Sequence, residues 1–231
     1  MAGRIYVRTQ GVQDWQRLLA EPVKHWRTGY SARALAHCWE SASGFPPEIA
    51  ALFAQSGVSA FGNLELLLGI PEHKVILPPR SGHPSQNDLF ALARAADGQL
   101  VAMTVEGKVS EPFGPALSEW NKESSPGKIQ RLAFIQGELG LTGELHRSIR
   151  YQLLHRTTSA VLEARRFNAR YAAMVVQSFN QDDLWFDEYA AFLALFGVSA
   201  AGHGQLHFLK EIQGVRLYSG WARGEARFLA A

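Results

Sequence analysis

Two apolar segments, Asn87 to Arg94 and Gln99 to Val109, flank Ala95-Ala96-Asp97-Gly98, and no other feature limits so strongly what this chain can fold into. Asp-Gly between two such segments is a hairpin turn signal, so the pair is expected to form antiparallel strands. Side chains alternate across a strand, which puts Val101, Met103, Val105 and Val109 on one face and Glu106 and Lys108 on the other. An acid and a base at the end of an otherwise apolar strand are costly to bury unless they meet each other, a metal or a substrate. The partner strand opens with a further carboxylate, Asp88.

Around this hairpin the first third of the chain is expected to be helical. Ser31 is placed to N-cap a helix over residues 32–41, and Pro46-Pro47 to start a shorter one toward Ala54. Residues 56–71, punctuated by Gly57, Gly62 and Gly69, are expected to be helical about the run Leu64 to Leu68. A short strand over residues 74–77 should end at Pro78-Pro79, followed by a polar loop through Gln86. Beyond the hairpin, a Gly- and Pro-rich loop over residues 110–127 leads to helices near 128–139 and 146–167. In the second of these, Ile149, Leu153, Ala160, Ala164 and Phe167 recur at helical spacing. Tyr171 to Phe179 is an apolar strand that a helical crossover would lay beside the 99–109 strand. A helix over 184–196 and a hairpin of 205–212 with 215–221, turning at Gly214, complete the order. The expectation is one α/β domain over 1–231: a helical N-terminal part (1–70), a mixed β-sheet core flanked by helices (72–179), and a C-terminal helix and hairpin (180–231).

With 47% hydrophobic and 19% charged residues, the chain has the composition of a protein that buries one sizeable core. The net charge of +2 does not announce a nucleic-acid partner, but the charge is uneven. Arg147, Arg150, Arg156, Arg165, Arg166 and Arg170 face a single acid, Glu163, in the 146–170 segment. Such a helix can follow a phosphate backbone or present an ordinary solvated face. Cys38 is the only cysteine, so no internal disulfide forms and a reducing, cytoplasmic setting is expected. Residues 1–8 lack the apolar stretch of a signal peptide, and no run approaches the ~20 apolar residues of a membrane span.

Asp88 and Glu106, converging from neighbouring strands, offer the oxygen ligands that a hard divalent cation such as Mg²⁺ prefers, and the Gly107 carbonyl can add another. A cation there would polarise a phosphoryl oxygen, while the Lys108 ammonium orients water or offsets developing charge. The structural alternative is a Glu106–Lys108 ion pair, partly exposed on the sheet face, with Asp88 ending a loop. A second acid-x-Lys triplet, Glu72-His73-Lys74, follows Pro71 but has no acid-bearing strand immediately before it.

The succession of Asp88, the Asp97-Gly98 turn, Glu106-Gly107-Lys108, a helix and a strand resembles the core of the PD-(D/E)XK nuclease superfamily, over roughly residues 72–179. Asn87 stands where the family motif carries a proline. The resemblance implies a restriction-endonuclease-like fold and Mg²⁺- or Mn²⁺-dependent cleavage of nucleic acid, DNA ahead of RNA. It makes Asp88 and Glu106 metal ligands, with Gly107, and Lys108 the catalytic lysine. Some members carry Gln and, four residues on, Tyr on the following helix. Here Gln152 is followed by Arg156, so Gln152 joins the catalytic candidates, and His155 and Arg156 are further phosphate-contact candidates. Glu40, ending the 31–41 helix, is a candidate for the glutamate that members often place on the first core helix. The rival function is a binding or scaffold module that keeps such a core without cutting. A third is a hydrolase of small phosphorylated molecules. Oligomeric state is left open.

Other chemistries lack support. His203 and His207 have helical ligand spacing, but Gly202 and Gly204 oppose a helix there. No serine-hydrolase elbow, phosphate-binding Gly-Lys-Ser/Thr loop or dinucleotide glycine motif occurs.

Overall fold

The computed structural model describes residues 9–79 and 82–231. The N-terminal residues 1–8 and residues 80–81 of the polar loop lie outside the described residues. Two four-residue helices, α1 (Gln13–Gln16) and α2 (Pro22–His25), precede α3 (Ser31–Ser41) and α4 (Pro47–Ala54). Three strands follow, β1 (Glu65–Val75), β2 (Ser85–Arg94) and β3 (Leu100–Lys108), then α5 (Leu117–Trp120), α6 (Pro126–Leu139) and α7 (Tyr151–Arg166). The chain ends with β4 (Tyr171–Ser178), α8 (Phe186–Ala194) and the hairpin β5 (Leu206–Ile212) and β6 (Val215–Arg223).

The strands form one mixed sheet in the order β1-β2-β3-β4-β6-β5. The β2–β3 hairpin is antiparallel as expected, pairing Leu89 with Val105 and Arg94 with Leu100. Strand β4 lies parallel to β3, pairing Val101 with Tyr171 and Lys108 with Ser178, and β6 lies parallel to β4. The crossover is α7, which packs over β3 and β4. All eight residues of β4 are buried, as befits a strand covered on both faces.

The alternation anticipated for β3 is realised. Val101, Met103 and Val105 enter the core cluster that holds Leu35, Trp39, Phe53 and Phe61 from the α3–α4 side. Ala102 enters the opposite cluster, beneath Leu153, Leu154, Ala160 and Ala164 of α7. On that same face Thr104 donates its hydroxyl to the Arg156 carbonyl at 3.1 Å, fixing α7 against the strand.

Four expectations require correction. Residues 64–68 are not helical but open β1, so the sheet begins at Glu65, and the strand expected at 74–77 is only its last turn of ladder. Gly69 and Pro71, which read as breaks, sit instead in an edge strand with a register shift between Leu66 and Leu68; an edge tolerates both residues. Helix α7 starts at Tyr151 rather than His146, because Ala116 and Arg150 form a β-bridge and Leu117 takes the Ile149 carbonyl at 2.9 Å. Ser31 does not cap α3 with its side chain; its amide and hydroxyl both donate to Glu111 Oε1 at 2.8 Å. Among the described residues no helix is long and apolar enough to cross a membrane.

Candidate active site

The last ladder pair between β2 and β3 is Leu89 with Val105, which brings Asp88 beside Glu106 and Gly107 where the two strands part. The Gly107 amide donates to Asp88 Oδ2 at 2.9 Å. Lys108 turns the other way along the backbone, its carbonyl accepting the Phe179 amide, so the Gly107 amide and carbonyl both face the β2 side. Asp88, Glu106 and Lys108 line a cleft of about 370 Å³ with Glu72, Gln86, Gln152 and Arg156. Ser31, Glu111 and His25 also line it.

Glu106 and Lys108 are buried, at 2% and 4% exposure, so the partly exposed pair entertained above is excluded. Lys108 Nζ lies 2.5 Å from Glu106 Oε1, and Arg156 Nε lies 2.6 Å from Glu106 Oε2. A second Arg156 nitrogen is 3.6 Å from Asp88 Oδ1. Burial alone would raise the Glu106 carboxyl, but Arg156 and Lys108 outweigh it and hold that group below the usual carboxylate range. The other two acids are left with less cation than anion. Burial and the Glu106 charge push Asp88 up to about 7, and burial and the Asp88 charge push Glu72 up to about 8.

The remaining candidates separate. Gln152 lines the cleft, and its Oε1 has no partner among the described residues. Arg156 does reach the site, but as a counter-ion clamped to the carboxylates and not as a solvent-facing phosphate contact. His155 is turned away, its Nδ1 2.7 Å from Ser85 Oγ in a neighbouring pocket. Glu40 is also absent from the cleft; its Oε1 accepts Thr9 Oγ1 at 2.9 Å and Trp15 Nε1 at 2.7 Å, pinning the N-terminal segment to α3. The arginine-rich segment is no continuous basic stripe, because Arg150 pairs with Glu188, Arg165 with Glu138 and Arg166 with Glu163. Cys38 is buried, with burial and Glu48 pushing its thiol up, as expected of an inert residue.

Two acids of the cleft went unrecognised in the sequence. Glu72 belongs to the triplet set aside above; it stands in β1 with φ of 53° and accepts Gln86 Nε2 at 2.6 Å. A non-glycine residue in that left-handed region inside a strand is uncommon and turns the side chain out of the ordinary alternation. Glu111 accepts the Val109 amide at 3.0 Å through its second oxygen while its first holds the start of α3. Its signal was only an acid three residues past β3.

The donors are hard oxygens of the kind Mg²⁺ or Mn²⁺ takes. Among the described residues, however, no three His, Cys, Asp or Glu side chains are arranged to hold a metal as they stand. Arg156 and Lys108 each hold one Glu106 oxygen, so a cation would compete with them for that carboxylate.

A family model described as a domain of unknown function (DUF6946) matches residues 8–226. The chain belongs to that family. No curated protein and no solved structure matches it.

The raised carboxyls give this DUF6946 domain a specific pH dependence. A group whose folded value exceeds its unfolded value near 4 binds more protons folded than unfolded between the two, so stability falls as pH rises. Without divalent cation, urea midpoints are expected to drop between pH 5.5 and pH 8, through the range set by Asp88 and Glu72. Asp88→Asn should flatten that slope; an unchanged slope would show that Asp88 stays ionised.

Proposed function

We propose that this domain hydrolyses phosphodiester bonds in nucleic acid with Mg²⁺ or Mn²⁺ at the Asp88–Glu106–Lys108 cleft, as a nuclease of restriction-endonuclease-like architecture working in a reducing cytoplasm. The observation that carries the reading is the meeting of two carboxylates and a lysine from adjacent strands in the lining of one cleft, with a third carboxylate, Glu72, lining it too. A parallel β4 reached through the α7 crossover beside the hairpin supports this reading.

Asp88 and Glu106, with the Gly107 carbonyl, would hold the cation, which when bound polarises the phosphoryl group and lowers the pKa of water. Lys108 Nζ, kept beside Glu106 and 5.0 Å from the Phe113 ring, is placed to orient water and to offset charge on the phosphoryl oxygens. Gln152, with its unpartnered Oε1, can accept a hydrogen bond from water or sugar. Glu72 and Gln86, hydrogen-bonded to each other, line the cleft as well.

One observation favours the rival, a module that binds without cutting: Arg156 already satisfies Glu106 and approaches Asp88. Two measurements separate the readings. The nuclease is expected to cut DNA or RNA strands with Mg²⁺ or Mn²⁺ and not with EDTA, and its melting temperature should rise with either ion, since a ligand of the folded state stabilises it. A protein that neither melts higher nor cuts with either ion is the module.

A further inference from the structure

A second pocket, of about 440 Å³, shares a wall with the cleft. On β2, Ser85 lines this pocket and Gln86 the cleft; on α7, Tyr151 and His155 line the pocket, Gln152 and Arg156 the cleft. No established part of the site uses it.

Its lining has a definite chemical character. Trp120 and Tyr151, both lining the pocket, stack with ring centroids 3.8 Å apart and planes 11° from parallel, so each covers one face of the other and the pair leaves an outer face of the stack as the aromatic wall for a flat ligand. Lys128, half-buried, lies 5.8 Å from the Trp120 ring and has no anionic partner among the described residues. His155 Nδ1 is hydrogen-bonded with Ser85 Oγ, and its Nε2 has no partner among the described residues. Burial, with Arg156 and Arg131 nearby, holds His155 well below its usual value, so the ring meets a ligand neutral. Arg131, also in the lining, donates to the Leu77, Pro78 and His83 carbonyls at 3.0, 3.0 and 2.6 Å and so braces the pocket. Among the described residues no Asp or Glu lines the pocket.

An aromatic wall, an unpaired ammonium, a neutral imidazole edge and no carboxylate together select a flat heterocycle that carries an anion and reject a cation. We propose that this pocket binds one nucleotide, its base against the Trp120–Tyr151 wall and its phosphate toward Lys128. The nucleotide is either free or the neighbour of the bond being cut; the second source rests on the phosphodiesterase reading of the cleft, and the first does not. A base seated there would lie one wall away from Asp88 and Glu106, so a strand entering the cleft must splay that base from its stack to fill the pocket.

The test is calorimetric titration of adenosine and cytidine 5′-monophosphates in EDTA, so that the cleft's chemistry is silent. The wild-type protein is expected to bind, with affinity lowered roughly tenfold or more in Trp120→Ala and in Lys128→Ala, and largely kept in Trp120→Phe. Melting curves for each variant exclude loss of fold as the cause. No binding at millimolar nucleotide, or equal binding by wild type and both alanine variants, overturns the proposal. If Trp120→Ala also raises KM for oligonucleotide cleavage with kcat retained, the occupant is a nucleotide of the strand; if KM is unmoved, it is the free nucleotide. Variant-sensitive nucleotide binding by a protein that cuts nothing would keep the pocket and remove the phosphodiesterase reading.

Discussion

Arg156→Met is expected to destabilise the metal-free protein by about 3–5 kcal/mol, the cost of removing one partner from a buried charge network. The guanidinium is 9% exposed and contacts Glu106 directly and Asp88 more distantly, so its loss leaves Glu106 with Lys108 alone and Asp88 with only the Gly107 amide. Methionine keeps most of the volume, which confines the effect to charge. Arg156→Lys should recover only part of the loss, because an ammonium cannot reproduce the fork that serves two carboxylates. Urea denaturation at pH 8 measures both. A loss below about 1 kcal/mol would mean that water screens these groups as it does at a surface. The same variant tests the relation between guanidinium and cation: freed of Arg156, the carboxylates should bind Mn²⁺ more tightly, seen as a larger melting shift than in wild type.

The second large effect concerns catalysis. Asp88→Asn and Lys108→Met are each expected to lower metal-dependent cleavage by about 10²–10⁴-fold, the range for removal of a positioned acid, base or charge stabiliser. Asparagine can still accept the Gly107 amide, so the Asp88→Asn fold should survive, and at pH 8 it should be the more stable protein because a desolvated acid is gone. Lys108→Met leaves Glu106 paired with Arg156. Single-turnover rates compared with strand affinity decide the assignment. Cleavage that persists in both variants, with strand binding unchanged, would remove these residues from any catalytic role.

How far such a site can be seen in a sequence depends on whether its geometry is local. The convergence of Asp88 with Glu106 followed from a hairpin signal and a period of two, both short-range properties. The parallel placement of β4 followed from a long helix between two apolar strands. Glu72 was hidden because Pro71 and Gly69 look like interruptions, and only the pairing of β1 with β2 over more than a dozen intervening residues makes them edge-strand residues. The recoverable signal was an acid directly after that proline. Arg156 was visible by its spacing from Gln152, yet whether it faces a substrate or the protein's own carboxylates depends on the helix phase and on tertiary packing. His155 shows the same dependence, since one residue along α7 sends a side chain into a different pocket.

The sheet order has a consequence for how the chain is made. Strand β4 is apolar and enclosed on both faces, and its second neighbour is β6, the last strand to be synthesised. Until residues 215–223 leave the ribosome, β4 offers a bare, sticky margin to any other extended chain, and a product stopped short of them keeps it for good. The sheet that backs the hairpin bearing Asp88 and Glu106 is therefore complete only once residues 215–223 have paired with β4.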